Sequence, residues 1–122
     1  MKILPPTLRE KKRYLAVEIM REGRISRERL IRALQDSIRE LFGDTGLSET
    51  GLRLLHFDGN HAVVRCTPRT VWRVRAGIAT ITEIDGTKVS LRVIGIGGTV
   101  RSVMEKYYIE KRNDQTLKRE ES

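Results

Sequence analysis

His56, His61 and Cys66 are the side chains of this 122-residue chain best suited to proton transfer, metal ligation or nucleophilic attack near neutral pH. The two histidines flank Asp58, Gly59 and Asn60, and Cys66 follows shortly after. A zinc site needs three or four such ligands at workable spacing. With one cysteine in the chain and no carboxylate pair nearby, the set is incomplete. Both histidines read as strand or surface residues, and Cys66, close to Val63 and Val64, reads as a small core residue. No phosphate-cradling glycine loop, nucleophile elbow or zinc-protease helix signature is present. Independent catalysis, a protein-bound cofactor and a protein-held metal are not expected.

The cations carry more information. Lys and Arg number 24 against 16 Asp and Glu, a formal net charge of +8. Such a balance points to a polyanionic partner, most commonly nucleic acid. A heat-adapted surface accounts for the 33% charged residues but not for the excess of one sign. Between Gly59 and Thr82 there is no acidic residue, yet the window holds Arg65, Arg69, Arg73 and Arg75. On a helix, Arg69 and Arg73 lie four apart and repel. With no acid in their own segment, a phosphate backbone is a fitting partner, and a solvated helix face is the alternative. Lys11, Lys12 and Arg13 form a second cluster, suited to counterion-release affinity or simply to solubility. Gly97, Gly98 and Thr99 precede a third cation, Arg101. Glycines ahead of a helix permit close backbone approach to an anion, which Arg101 would clamp. The same residues also make an ordinary helix cap, and Arg101 can pair with Glu105.

Those side chains must be held by elements that the apolar periodicity outlines. Pro5 and Pro6 bar a regular helix at the start, so residues 1–12 read as an extended basic arm. From Arg13 to Met20 the alternation of Leu15, Val17 and Ile19 predicts a half-buried strand. Ser26 as N-cap and Gly43 as terminator bracket a helix with Leu30, Leu34 and Ile38 on one face. Asp44 to Gly51 reads as a loop or short helical turn. Residues 52–57 and 61–66 predict a hairpin around Asp58 and Gly59. Thr67 and Pro68 open a second helix with Val71, Val74 and Ile78 inward. After a turn at Asp85 and Gly86, a strand spans Lys88 to Ile96, and a last helix carries Val100, Val103, Met104 and Tyr107. Arg101, Tyr108 and Arg112 share one side of that helix.

The order β-α-β-β-α-β predicts an α+β domain over residues 13–112: a four-stranded antiparallel sheet with both helices on one face, in the split βαβ arrangement of ferredoxin-like and RRM-like folds, plus a C-terminal helix. Residues 113–122 are expected to fray. RNA-binding domains of this kind stack bases on aromatics of the two central strands, where this chain offers Tyr14 alone. Ala16, Val63 and Ile94 leave that face partly apolar, which suits a partner or the last helix lying across it. A lone cysteine rules out an intrachain disulfide, and no apolar run reaches membrane-spanning length. A cytoplasmic protein without a membrane partner is expected.

Three stretches in order resemble one family, ribonuclease P protein component 2, the archaeal relative of a eukaryotic ribonuclease P and MRP subunit. They are Arg13 to Leu15, Val63 to Cys66 leading into Trp72, and Gly97 to Arg101. The resemblance implies an RRM-like fold and membership of the RNA-based endonuclease that removes the 5′ leader of precursor transfer RNA. It implies that the RNA holds the active site and its magnesium ions, and that this subunit pairs with protein component 3. A homodimer within a heterotetramer is compatible with it. On that view Lys11, Lys12, Arg13, Arg65, Arg69, Arg73, Arg101 and Arg112 contact RNA backbone. A generic RNA-binding or ribosome-associated module is the alternative on charge and fold alone.

Overall fold

The computed structural model describes residues 11–109, without the Ile109 side chain. The elements are β1 (Arg13–Arg21), α1 (Arg27–Ser48), β2 (Arg53–Phe57), β3 (His61–Cys66), a 3-10 turn (Pro68–Thr70), α2 (Val71–Thr80), β4 (Glu83–Ile84), β5 (Thr87–Gly97) and α3 (Val100–Met104). A π-helical turn over Glu105–Ile109 continues α3. One antiparallel sheet runs in the order β2-β3-β1-β5-β4, with β1 at its centre.

The sheet has five strands rather than the four expected. The extra one is the two-residue β4, which pairs Glu83 with Lys88 and Ile84 with Thr87. Asp85 (φ 48°) and Gly86 (φ 85°) close this hairpin with two left-handed residues in succession, the geometry of a tight two-residue turn. A strand of two residues has no periodicity to read. The first helix also departs from expectation. Ser26 caps it as predicted, accepting the Arg29 N–H at 3.2 Å. Gly43 (φ 77°, ψ 176°) breaks it, but the chain re-enters helix to Ser48. Thr67 sits where a cap was expected, yet its hydroxyl bonds Thr70 Oγ1 (2.6 Å) and Glu49 O instead.

Both long helices cover one face of the sheet. Leu15, Val17 and Ile19 of β1 meet Leu30, Leu34 and Ile38 of α1 and Val74 and Ile78 of α2, all nearly fully buried. The helices meet closely at Gly77, where a Cβ would stand 2.7 Å from Ile38 Cγ1. Burying each of these aliphatic side chains contributes about 1.5–3 kcal/mol before the ordering entropy is subtracted.

The opposite face is covered by α3. Ala16 and Val63 pack against Val103 and Tyr108, with Tyr14, Ile94, Met104 and Tyr107 around them. Of the two occupants that the exposed apolar pattern allowed, the last helix is the one present. A bulge makes this fit: β5 slips by one residue between its pairings with Ala16 and Val17. Val93 therefore faces the long helices while Ile94 and Gly95 both serve α3. A Cβ on Gly95 would fall inside the Tyr107 ring, and one on Gly97 would stand 2.6 Å from Val103 Cγ2. Those glycines let the helix lie flat on the strand.

Candidate nucleic-acid interface

Register brings together cations that the sequence scatters. Arg65 stands opposite Arg53 on β2 and opposite Tyr14 on β1, and Tyr14 stands opposite Gly97 on β5. Cross-strand partners share a face, so Arg53, Arg65 and Tyr14 form a row across the sheet on its α3 side. Lys12 and Arg13 enter at the same end, with Lys12 Nζ within 3.9 Å of the Cβ position of Gly51. The Arg13 guanidinium bonds its neighbour's backbone, Lys12 O, at 3.1 Å. Arg53 is exposed, and Arg65 is half-buried with its Nε N–H sealed from solvent and unbonded. Neither arginine has an ion pair or side-chain hydrogen bond to a described residue.

Like charges directly opposite each other destabilise a sheet. A row that tolerates this with no acid paired to it among the described residues is chemically suited to an external anion. Arg53 was not among the residues singled out from sequence, and a bulge explains why. β2 gains a residue at Leu55, so the hairpin register jumps between Leu54 and His56. Counted regularly from the turn, Leu54 would oppose Arg65; the bulge puts Arg53 there.

The other expected contacts are distributed differently. Lys11 is exposed beside the row, and Arg112 lies outside the described residues. Arg69 is exposed in the 3-10 turn without an ion pair to a described residue. Arg73 does have an acid: Nη1 meets Glu49 Oε2 at 3.1 Å and Gly46 O at 3.3 Å, from the C-cap and the last turn of α1. The expectation that this cation lacks an acidic neighbour holds within its own segment and fails in the fold. Arg69 and Arg73 line one concave site with Glu49, Thr67 and Thr70. Arg101 pairs with Glu105 at 2.9 Å while its side chain stays 87% exposed, a contact that water screens heavily. Thr99 Oγ1 accepts the Ser102 N–H at 3.1 Å, the cap alternative, and Gly97 is explained by Val103.

The histidines form a structural wall. His56 Nε2 and His61 Nδ1 lie 3.6 and 3.7 Å from the same Asp58 oxygen, and both rings flank Tyr108. Burial raises the Asp58 pKa, but N–H bonds from Asn60 and His61 and the nearby imidazoles outweigh it, leaving the carboxyl below its usual value. The Tyr108 hydroxyl donates to Ala62 O at 2.6 Å, with Val17 O at 3.3 Å, and burial pushes its pKa to about 12. Burial likewise raises the Cys66 thiol to about 11, which suppresses its thiolate. Among the described residues no group of three ligands fits a metal ion. On the sheet face, the aromatic expected to stack bases, Tyr14, is half-buried beside α3.

Comparison with known proteins bears on the family and the fold. Residues 13–108 match the model of the Rpp14/Pop5 family. Proteins called ribonuclease P protein component 2 are similar throughout: that of Methanosarcina mazei is 37% identical over 88% of this chain and 92% of its own length. The Archaeoglobus fulgidus protein is 37% identical over 88% of this chain and 97% of its own. The one from Pyrococcus horikoshii is 32% identical over 88% and 91%. In a cryo-EM structure of yeast ribonuclease MRP, one chain shares the fold, with a TM-score of 0.64 at 15% identity, covering 88% of this chain and 96% of that one. With a family match that runs from the first residue of β1 to Tyr108, this chain belongs to the Rpp14/Pop5 family.

Proposed function

We propose that this protein is a ribonuclease P subunit that braces the catalytic RNA through its sugar-phosphate backbone, in the particle that removes the 5′ leader of precursor transfer RNA. The observation that carries the assignment is 37% identity to ribonuclease P protein component 2 over nearly the whole chain. The order β2-β3-β1-β5 of the four longer strands supports an RRM-like reading of the fold. Its RNA-binding mode differs from the base-stacking one, because α3 occupies the sheet face on which bases would stack.

The contacts are made by Lys11, Lys12, Arg13, Arg53 and Arg65, with Arg101 reaching from α3. They are charge contacts that position rather than read sequence. Among the described residues no nucleophile or general base is assigned: Cys66 is buried, and both histidines contact Asp58 and Tyr108. Hydrolysis belongs to the RNA and its magnesium ions. A second protein subunit, ribonuclease P protein component 3, completes the functional unit, which works in the cytoplasm.

Reconstitution tests this. Precursor transfer RNA should be cleaved when this protein, its partner protein, the catalytic RNA and magnesium are combined, and not by the protein alone. Cleavage in the absence of any RNA component overturns the assignment of roles.

A further inference from the structure

At the far end of β1 from the Arg53 and Arg65 row, a second cationic concavity opens between the β1–α1 loop and the tip of the β2–β3 hairpin. It measures about 650 Å³, and Arg21, Arg24 and Arg29 line it with Phe57, Asp58 and Gly59. Among the described residues the Arg21 guanidinium bonds backbone alone: Nε donates to Gly59 O at 2.7 Å and Nη1 to Gly23 O at 3.1 Å. Gly59 makes room for it, since a Cβ there would stand 3.0 Å from Nη2. No described acid pairs with Arg21 or Arg24, and both side chains are exposed. Arg29 is partly compensated by Asp85 at 3.2 Å. Asp58, the acid of the lining, is already engaged. Its Oδ1 accepts the Asn60 and His61 N–H groups at 2.9 and 2.7 Å, and its Oδ2 faces both histidines.

We infer that this concavity holds a second stretch of RNA backbone, so that the protein bridges two segments of the catalytic RNA rather than gripping one. The inference rests on the reading that this chain binds that RNA. A guanidinium fixed in place with N–H groups to spare presents a planar fork of donors, the geometry that matches a phosphate. Fixing it in advance also removes part of the ordering cost of binding. An acidic protein segment would find the same charge here but no apolar centre. None of the exposed large hydrophobic side chains lines the concavity, and the Phe57 ring packs half-buried against the core. A phosphate contact needs no such centre. Strand β1 sets the span: Tyr14 of the row and Arg21 of the concavity lie seven residues apart on it. At about 3.3 Å per residue that is about 23 Å, far more than the rise of about 3.4 Å between successive nucleotides of a stacked strand. One contact leaves a bound segment free to swivel about it. Two contacts that far apart fix its direction, which is what a brace requires.

The test binds the full-length chain to the catalytic RNA across a salt series and compares Arg24→Gln, Arg21→Gln/Arg24→Gln and Arg53→Gln. Arg24→Gln leaves both backbone bonds of Arg21 in place, and circular dichroism with thermal unfolding checks the fold of each variant. Arg24→Gln should lose about 0.7–0.9 from the slope of log K against log salt, and the double variant about twice that. Hydroxyl-radical footprints of the complexes should show Arg24→Gln and Arg53→Gln exposing two separate tracts of the RNA. An unchanged slope in both Arg24→Gln and the double variant overturns the inference. A single tract exposed by Arg24→Gln and Arg53→Gln alike overturns the bridge. Unchanged RNA binding with weakened binding of component 3 assigns the concavity to a protein and also overturns the inference. Failure of the unaltered chain to bind the RNA removes the ribonuclease P reading itself, a result distinct from failure of this site.

Discussion

Neutralising Arg53 should make the protein slightly more stable and a poorer RNA binder, and the structure sets both magnitudes. Arg53 is exposed and stands opposite Arg65, with no acid bonded to either among the described residues. Arg53→Gln keeps most of the aliphatic stem and removes one of two facing charges. Cross-strand like-charge pairs are unfavourable within a range of about 0.2–1 kcal/mol, and solvent screening places an exposed pair near the low end. Unfolding free energy should therefore rise by a few tenths of a kcal/mol at low salt. That gain should vanish as the Debye length shortens. In the same variant, log K for the catalytic RNA against log salt should lose about 0.7–0.9 of slope, one phosphate contact. Combining it with Arg65→Gln should remove about twice that. Urea unfolding at two ionic strengths and filter binding across a salt series supply the measurements. A destabilised Arg53→Gln, or an unchanged salt slope, would show that Arg53 has a native partner and no role on RNA.

Other outcomes follow from particular contacts. Tyr108→Phe removes the 2.6 Å bond to the Ala62 carbonyl, which still pairs with β1, and should cost about 0.5–1.5 kcal/mol in chemical unfolding; a cost near zero means the hydroxyl was not bonded there. Gly95→Ala, which drives Tyr107 out of its seat, should destabilise by about 1–3 kcal/mol. Gly98→Ala, where an added Cβ meets nothing, should stay within about half a kcal/mol, and equal effects at the two sites would refute the packing account. Asp58 titrates below its usual value in the folded protein, so its stabilisation is present above pH 3.8 and lost as acid takes the pH through the lower folded value; Asp58→Asn should flatten that acid limb of the stability curve. Cys66 shifts the other way: its stabilisation is complete below pH 9.0 and is lost as pH rises through about 11. Thiol reagents at pH 8 should therefore label it only on unfolding, and fast labelling of the native protein would contradict its burial.

Much of the architecture was legible because local periodicity and capping act over a few residues. The alternation of Leu15, Val17 and Ile19, the Ser26 cap and the Asp58 turn each carry their cause within about a turn of chain. The two-residue β4 was not, because its stability comes from pairing with β5 rather than from any pattern of its own. Arg65 was legible as a candidate because it stands in the acid-free stretch from Gly59 to Thr82; that Arg53 faces it was not, because the Leu55 bulge sets the register.

Sequence by itself determined the sign and excess of charge and the order of the main elements, both properties of residue type and near-neighbour spacing. Tertiary structure decided which cations are left for a partner. Glu49 reaches Arg73 across 24 residues of chain, while no described acid bonds Arg53 or Arg65. It also decided that α3, seated on Gly95 and Gly97, closes the sheet face. The physical reason is that electrostatic pairing and steric fit depend on distance in space, and strand register, bulges and helix crossing set that distance only once the chain has folded.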